Sequence, residues 1–100
     1  MAVKDLIATE DRYRKGLALT GLTFVLVNKS TGAAITSGSV TTKITKDGGT
    51  QGTTTNSAAH EGNGQWSINL TAAEMDADIV GLAMTHTSAL TLYVTLKTSL

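Results

Sequence analysis

Hydrophobic and polar residues alternate along several short stretches of this chain, with the period of two expected of half-buried β-strands. The cleanest example lies near the C-terminal end, where Leu90, Leu92, Val94 and Leu96 take every second position. We expect that strand to turn one face to the core. Stretches of this kind predict seven strands, over residues 22–28, 35–37, 40–46, 53–60, 65–70, 79–87 and 90–97.

Turn-forming residues separate the predicted strands, at 29–32, 47–49 and 62–64 and near Ser88. Between the fifth and sixth strands, residues 71–77 predict one short helix. Thr71-Ala-Ala-Glu74 has the sequence of a capping box, in which each end residue's side chain bonds the other's backbone amide. Asp76 and Asp78 follow so closely that the helix should have only one or two turns.

The composition favours a sheet protein. Threonine is the commonest residue, with 18 of 100, and it suits pleated structure. Seven short strands with turns about every ten residues predict a mainly all-β fold, an antiparallel immunoglobulin-like β-sandwich. Proline is absent, so it cannot block the edges of the sheets. Those edges must be covered by a partner, or interrupted by lysines and bulges.

Charge divides the chain into two parts. Seven of the 16 charged residues lie between Lys4 and Lys15. We therefore predict an N-terminal arm over residues 1–16, ahead of a sandwich domain over residues 17–100. The arm contains Leu6, Ile7 and Tyr13. It is either a frayed terminus or a segment ordered by packing on a neighbouring subunit, and its apolar residues favour the second reading.

The overall charge and the absence of cysteine exclude several classes of protein. Eight basic residues balance eight acidic ones, so no net field draws the protein to nucleic acid or to anionic lipid. Without cysteine there are no disulfides and no thiolate metal sites. The longest apolar run, residues 24–27, is too short to span a bilayer, and the N-terminus has no signal-peptide core. We expect neither nucleic acid nor membrane among the partners.

Motifs for metal, phosphate or calcium binding are incomplete. His60-Glu61 begins like the zinc-protease motif HExxH, but Gly64 stands where the second histidine belongs. His60 and His86 would form a metal site only if the fold brought them together with a carboxylate. Gly62-Asn-Gly64 precedes a strand, which indicates a hairpin turn instead of a phosphate loop. Asp76 and Asp78 lack the further oxygen ligands of a calcium loop. We predict no cofactor and no metal.

Glu74 and Trp66 are candidates for a chemical role, but the position of each has a structural explanation. The capping box gives the Glu74 side chain a backbone partner, so its presence is explained without a role in acid–base catalysis. Trp66 alternates with Ile68 and Leu70, so we expect it in the core and not as a sugar-stacking platform. No serine or threonine lies in a nucleophile motif. The sequence therefore predicts no catalytic residue and no enzyme.

Residues 64–80, GQWSINLTAAEMDADIV, resemble a pattern found in small virion structural proteins of tailed bacteriophages. In that pattern an aromatic strand leads into LTAAEM, two small or acidic residues and a hydrophobic strand. The segments LTFVL at 22–26, STGA at 30–33 and ITKDGG at 44–49 fit the same pattern, so the resemblance covers roughly residues 20–96. The chain departs from it by having Trp66 in place of tyrosine, and by lacking a proline before the last strand.

The resemblance implies a non-enzymatic virion component, made in the host cytoplasm and placed in the head decoration, the connector or the tail. Its work would be done by contacts with copies of itself and with other virion proteins. A trimer is preferred by analogy with shell-decorating proteins. The predicted contact residues lie in the arm: Leu6, Ile7, Arg12, Tyr13 and Arg14. The alternative is a carbohydrate-binding or other ligand-binding sandwich for particle adhesion. It requires an accessible Trp66, and four aromatic residues are few for that task.

Overall fold

The computed structural model describes residues 13–99 and shows seven strands in two antiparallel sheets. The smaller sheet has the order β1-β5-β4, and the larger has the order β3-β2-β6-β7. These two sheets confirm the predicted all-β, sandwich-like architecture. The strands are β1 Leu19–Val25, β2 Thr41–Lys46, β3 Gly52–Thr53, β4 Ala59–Gly62, β5 Gln65–Leu70, β6 Ile79–Thr85 and β7 Leu92–Lys97.

Inward-facing residues of both sheets form a single hydrophobic core. Strand β5 contributes Trp66, Ile68 and Leu70, the alternating set expected from the sequence, and all three are buried. The prediction that Trp66 belongs to the core is confirmed. Strand β7 has Leu96 buried and Leu92 and Val94 half-buried, so one of its faces does meet the core. The other buried core residues are Phe24, Leu26, Ile35, Val40, Ile44, Met75, Ala77, Val80, Leu82, Met84 and Ala89.

Two predicted strands were wrong. Residues 35–37 form no strand. Ile35 is buried because its loop packs on the core, where its carbonyl accepts a hydrogen bond from Trp66 Nε1 at 2.9 Å. Residues 53–60 are divided between β3 and β4, which belong to different sheets. The Thr54 amide still bonds the Thr42 carbonyl at 3.1 Å, after which the chain crosses to the other sheet.

The helix predicted over residues 71–77 is not confirmed, because the segment forms only a single hydrogen-bonded turn. The Met75 amide donates to the Thr71 carbonyl at 3.1 Å, and the Asp76 amide donates to Ala73 at 3.2 Å. Strand β6 begins at Ile79, so the chain extends before further helical bonds can offset the cost of the first turn. Residues 13–99 contain no helix, and so none long and apolar enough to cross a membrane.

Candidate interaction surfaces

The C-terminal part of the predicted arm lies against the end of the sandwich. Arg14 forms a parallel bridge with Ser99, just beyond β7. The Ser99 amide donates to the Tyr13 carbonyl, and the Lys15 amide donates to the Ser99 carbonyl, both at 3.0 Å. The Gly16 amide adds a bond to Met75 at 3.0 Å. Residues 13–16 are therefore fixed to the sandwich by backbone hydrogen bonds.

The five predicted contact residues fall into two groups. Leu6, Ile7 and Arg12 lie outside the described residues. Tyr13 is half-buried and packs against the core of its own chain, whereas Arg14 is exposed. A salt bridge of 3.2 Å between Lys15 and Asp78 lies beside them. It is largely solvated, so it adds little stability.

Glu74 is the most highly connected carboxylate of the described residues. Its Oε1 accepts from the Thr71 amide at 2.8 Å, and its own amide donates to Thr71 Oγ1 at 3.1 Å. These are the two bonds of a capping box. Its Oε2 also accepts from the Thr55 amide at 2.8 Å. Glu74 is 9% exposed, so the carboxylate ties the 71–76 turn to the crossover between β3 and β4.

The two histidines occupy separate turns, each held by backbone partners. His60 Nε2 accepts from the Gly64 amide at 3.0 Å, within the β4–β5 hairpin. His86 Nδ1 accepts from the Ser88 amide at 3.0 Å, and its Nε2 donates to the Ser37 carbonyl at 2.8 Å. No group of three histidine or acidic side chains suited to a metal occurs among residues 13–99.

The outer face of the larger sheet carries an exposed aromatic ring. Tyr93 is 76% exposed on β7, beside Ala83 of β6. Next to it, the missing side chain of Gly81 leaves a shallow depression of about 160 Å³, bordered by Thr45 and Gln51. Tyrosine is enriched at protein–protein interfaces, so this face is a candidate contact surface. The alternation in the sequence predicts that Tyr93 lies outside the core, but it did not identify Tyr93 as a candidate contact residue.

Trp66 cannot stack on a sugar in this structure. Its ring is 2% exposed and its Nε1 is already bonded to the Ile35 carbonyl. The ring also meets His60 in a T-shaped contact with 5.3 Å between ring centroids. The carbohydrate-binding alternative required an accessible Trp66, and the buried ring does not meet that requirement.

Comparisons of this chain with protein-family models, with curated proteins and with solved structures found no match.

Proposed function

We propose that the chain is a non-enzymatic structural or assembly protein of a tailed-bacteriophage virion, acting through contacts with itself and with other virion proteins. The observation that carries the assignment to a virion is the resemblance of residues 64–80. Head decoration, connector and tail are all compatible with it. The protein would be made in the host cytoplasm and then incorporated into the virion.

We also infer that the topology is immunoglobulin-like. The smaller sheet, β1-β5-β4, has the order of strands B, E and D of that fold, and the larger, β3-β2-β6-β7, has the order C′, C, F and G. Strand A would then precede β1. In this reading the parallel bridge between Arg14 and Ser99 lies where an A strand approaches the end of G.

The mode of action is supported by the surfaces described above. Residues 13–16 are fixed to the domain by backbone hydrogen bonds, and Tyr93 lies exposed on the outer face of the larger sheet. A stable homo-oligomer needs on the order of 800 Å² buried per partner. The arm and this face together offer the apolar groups for such a contact. A trimer remains the preferred state by analogy, with Leu6, Ile7, Arg12, Tyr13 and Arg14 as candidate contacts.

Sedimentation of particles from the cells that produce the protein tests the virion assignment. Mass spectrometry of density-gradient fractions should find the chain at constant ratio to the capsid protein across the particle peak. A high-salt wash that keeps particles intact separates adsorbed protein from built-in protein. A chain found only in the soluble fractions at the top of the gradient would contradict the assignment.

A charge substitution tests the contact proposal in the full chain. Leu6→Asp should reduce the oligomer mass seen by light scattering, because a buried apolar contact would receive an unpaired charge. Leu17→Asp is the matched control, since Leu17 is 57% exposed and lies outside the proposed contact set. Equal masses for the wild type and both variants would refute the assignment of Leu6 to the interface.

A further inference from the structure

The outer face of the larger sheet has small residues along its centre. Strand β6 is flanked by β2 on one side and by β7 on the other. Its residues Gly81 and Ala83 alternate with buried residues of the hydrophobic core, so both face outward, and neither belongs to the core cluster. Small residues in the middle of a sheet leave room for another surface to approach closely.

Larger side chains flank this central strip in one row across the sheet. Ala83 pairs with Lys43 of β2 on one side and with Tyr93 of β7 on the other. Lys43 Nζ donates to Thr53 Oγ1 at 2.7 Å, so the lysine side chain extends over the neighbouring strand β3. Tyr93 is the most exposed of the large hydrophobic side chains. This row therefore carries an ammonium group on the β2 flank and an aromatic ring on the β7 flank.

A second row, at the start of β6, carries opposite charges on its two flanks. Ile79 pairs with Lys97 of β7. On its other side, the Asp47 amide donates to the Ile79 carbonyl, and the Ile79 amide donates to Asp47 Oδ1, both at 2.9 Å. Both charged residues are exposed, and Ile79 between them is 45% exposed. The row thus has a carboxylate beyond the end of β2 and an ammonium group on β7.

The two rows complement themselves under a twofold rotation about β6. An axis along β6, in the plane of the face, exchanges the β2 and β7 flanks between two copies and keeps each row opposite the same row. Lys43 would then meet Tyr93 of the second copy. Asp47 would meet Lys97 of the second copy, and each of these pairs would occur twice. A symmetric contact between two identical faces requires this self-complementarity.

We propose that two copies of the chain pack these outer faces against each other about a twofold axis along β6. The inference rests on the proposed function through self-association, for which it names one contact surface and its partner. Each Tyr93 ring would fill the depression beside Gly81 of the other copy, which Thr45 and Gln51 border. There the ring would lie beside the Lys43 ammonium group in a cation–π contact. Aromatic side chains that fill pockets contribute most of the binding energy at protein interfaces.

The size of the face shows that this contact is weak by itself. Strands β2 and β7 have six residues each. At about 3.3 Å per residue and about 4.8 Å between strands, a four-stranded face of that length covers about 400 Å² in projection. A stable interface buries about 800 Å² per partner, so we expect a dissociation constant of about 10 μM or weaker. The exposed Asp47–Lys97 pairs would fix the orientation of the copies more than the affinity.

A twofold contact joins copies in pairs, so the preferred trimer must use another surface. Together the two contacts would give six copies with dihedral symmetry. Because the sheet contact is the weaker one, dilution to low micromolar concentration would separate the six copies into trimers.

Sedimentation velocity of the full chain, from about 1 μM to about 1 mM, measures the concentration-dependent pairing step. Tyr93→Ala should weaken that step at least tenfold, because it removes the ring from both pockets. Gly81→Ala should weaken it several-fold by filling the depression. An added Cβ there lies 3.7 Å from its nearest neighbour, the Thr45 carbonyl oxygen, so the fold accommodates it. Val25→Ala is the control, since Val25 is exposed on β1 in the other sheet, and it should leave the pairing unchanged.

Cysteine cross-linking locates the axis, because the natural chain has no cysteine. Ile79→Cys places a thiol on the proposed axis, where a short bis-maleimide should join two copies. Thr23→Cys, on the outward face of β1 in the other sheet, should not be cross-linked.

The outcomes separate this contact from self-association in general. Oligomers that Tyr93→Ala leaves intact at every concentration, or cross-linking of Thr23→Cys in preference to Ile79→Cys, would overturn the twofold contact alone. A wild-type mass of 10.4 kDa at every concentration would overturn both the contact and the proposed self-association.

Discussion

Replacing Glu74 by glutamine tests whether a buried carboxylate holds the turn after β5 to the crossover between the sheets. The substitution keeps the shape and one acceptor oxygen, but puts an amide nitrogen in place of the other. That nitrogen would face the amide of either Thr55 or Thr71, each of which now donates to Glu74 at 2.8 Å. One partly buried backbone donor would thus lose its acceptor.

The expected loss of stability follows from the number of bonds removed. A hydrogen bond to a charged group contributes about 1.5–3 kcal/mol, and because both donors are only partly buried the loss of one bond should fall toward the lower part of that range. We therefore expect Glu74→Gln to lower the free energy of unfolding by about 2 kcal/mol. Glu74→Ala removes both acceptors and should cost about 3–5 kcal/mol by the same reasoning. Glu61 is exposed and bonds Ser67 Oγ, so Glu61→Gln should change stability by less than about 0.5 kcal/mol.

Urea unfolding followed by the fluorescence of Trp66, the single tryptophan, measures these differences. Its ring is buried in the core, so its emission reports global unfolding. Exchange of the Thr55 amide, read in parallel, should rise in Glu74→Gln before global unfolding does. If Glu74→Gln matched Glu61→Gln in stability while Thr55 stayed protected, the carboxylate would not tie these segments together.

Two further predictions use substitutions with matched controls, and calorimetry is sufficient for both. Thr42 Oγ1 is buried and has no partner among the described residues, so Thr42→Val should raise the free energy of unfolding by about 1 kcal/mol. Thr54→Val should lower it by a similar amount, because that hydroxyl donates to Asn56 O; a stabilised Thr54→Val would contradict the reasoning. Gly64 adopts φ +83°, and an added Cβ would lie 2.6 Å from Ala34 Cβ, so Gly64→Ala should cost about 2–4 kcal/mol. Gly48→Ala has a similar φ, +74°, with open space around it, and should cost about 1 kcal/mol. Equal costs would show that Ala34 yields to the new methyl group.

The strands that the sequence predicted well are those in which side-chain alternation and backbone pairing coincide. Strand β5 matches the predicted residues 65–70, and β2 and β6 lie within their predicted ranges. Residues 35–37 contain one apolar residue, Ile35, which is buried although the segment forms no strand. There, burial comes from packing over Trp66, and a hydrophobic side chain does not reveal whether its backbone is paired.

The predictions that failed depended on contacts distant in sequence. The run 53–60 looks like one strand, but Thr54 bonds Thr42 while Ala59 pairs with Ser67 in the other sheet. The Thr71–Glu74 pairing was visible because both partners lie within one turn. The bond from Thr55 to Glu74 joins residues 19 positions apart and has no local signature. The sequence pattern therefore predicted most strands of the two sheets. The hydrogen bonds that join segments distant in sequence could be identified only in the folded structure.

The solution mass of the full-length chain tests most directly whether this protein works through subunit contacts. Light scattering coupled to size-exclusion chromatography, repeated over a wide range of concentrations, gives that mass without labels. We expect a multiple of the 10.4 kDa chain mass, with three copies preferred, that persists at low micromolar concentration. A mass of 10.4 kDa at every concentration would contradict a function through self-association, because the surfaces assigned to contacts would then have no partner copy.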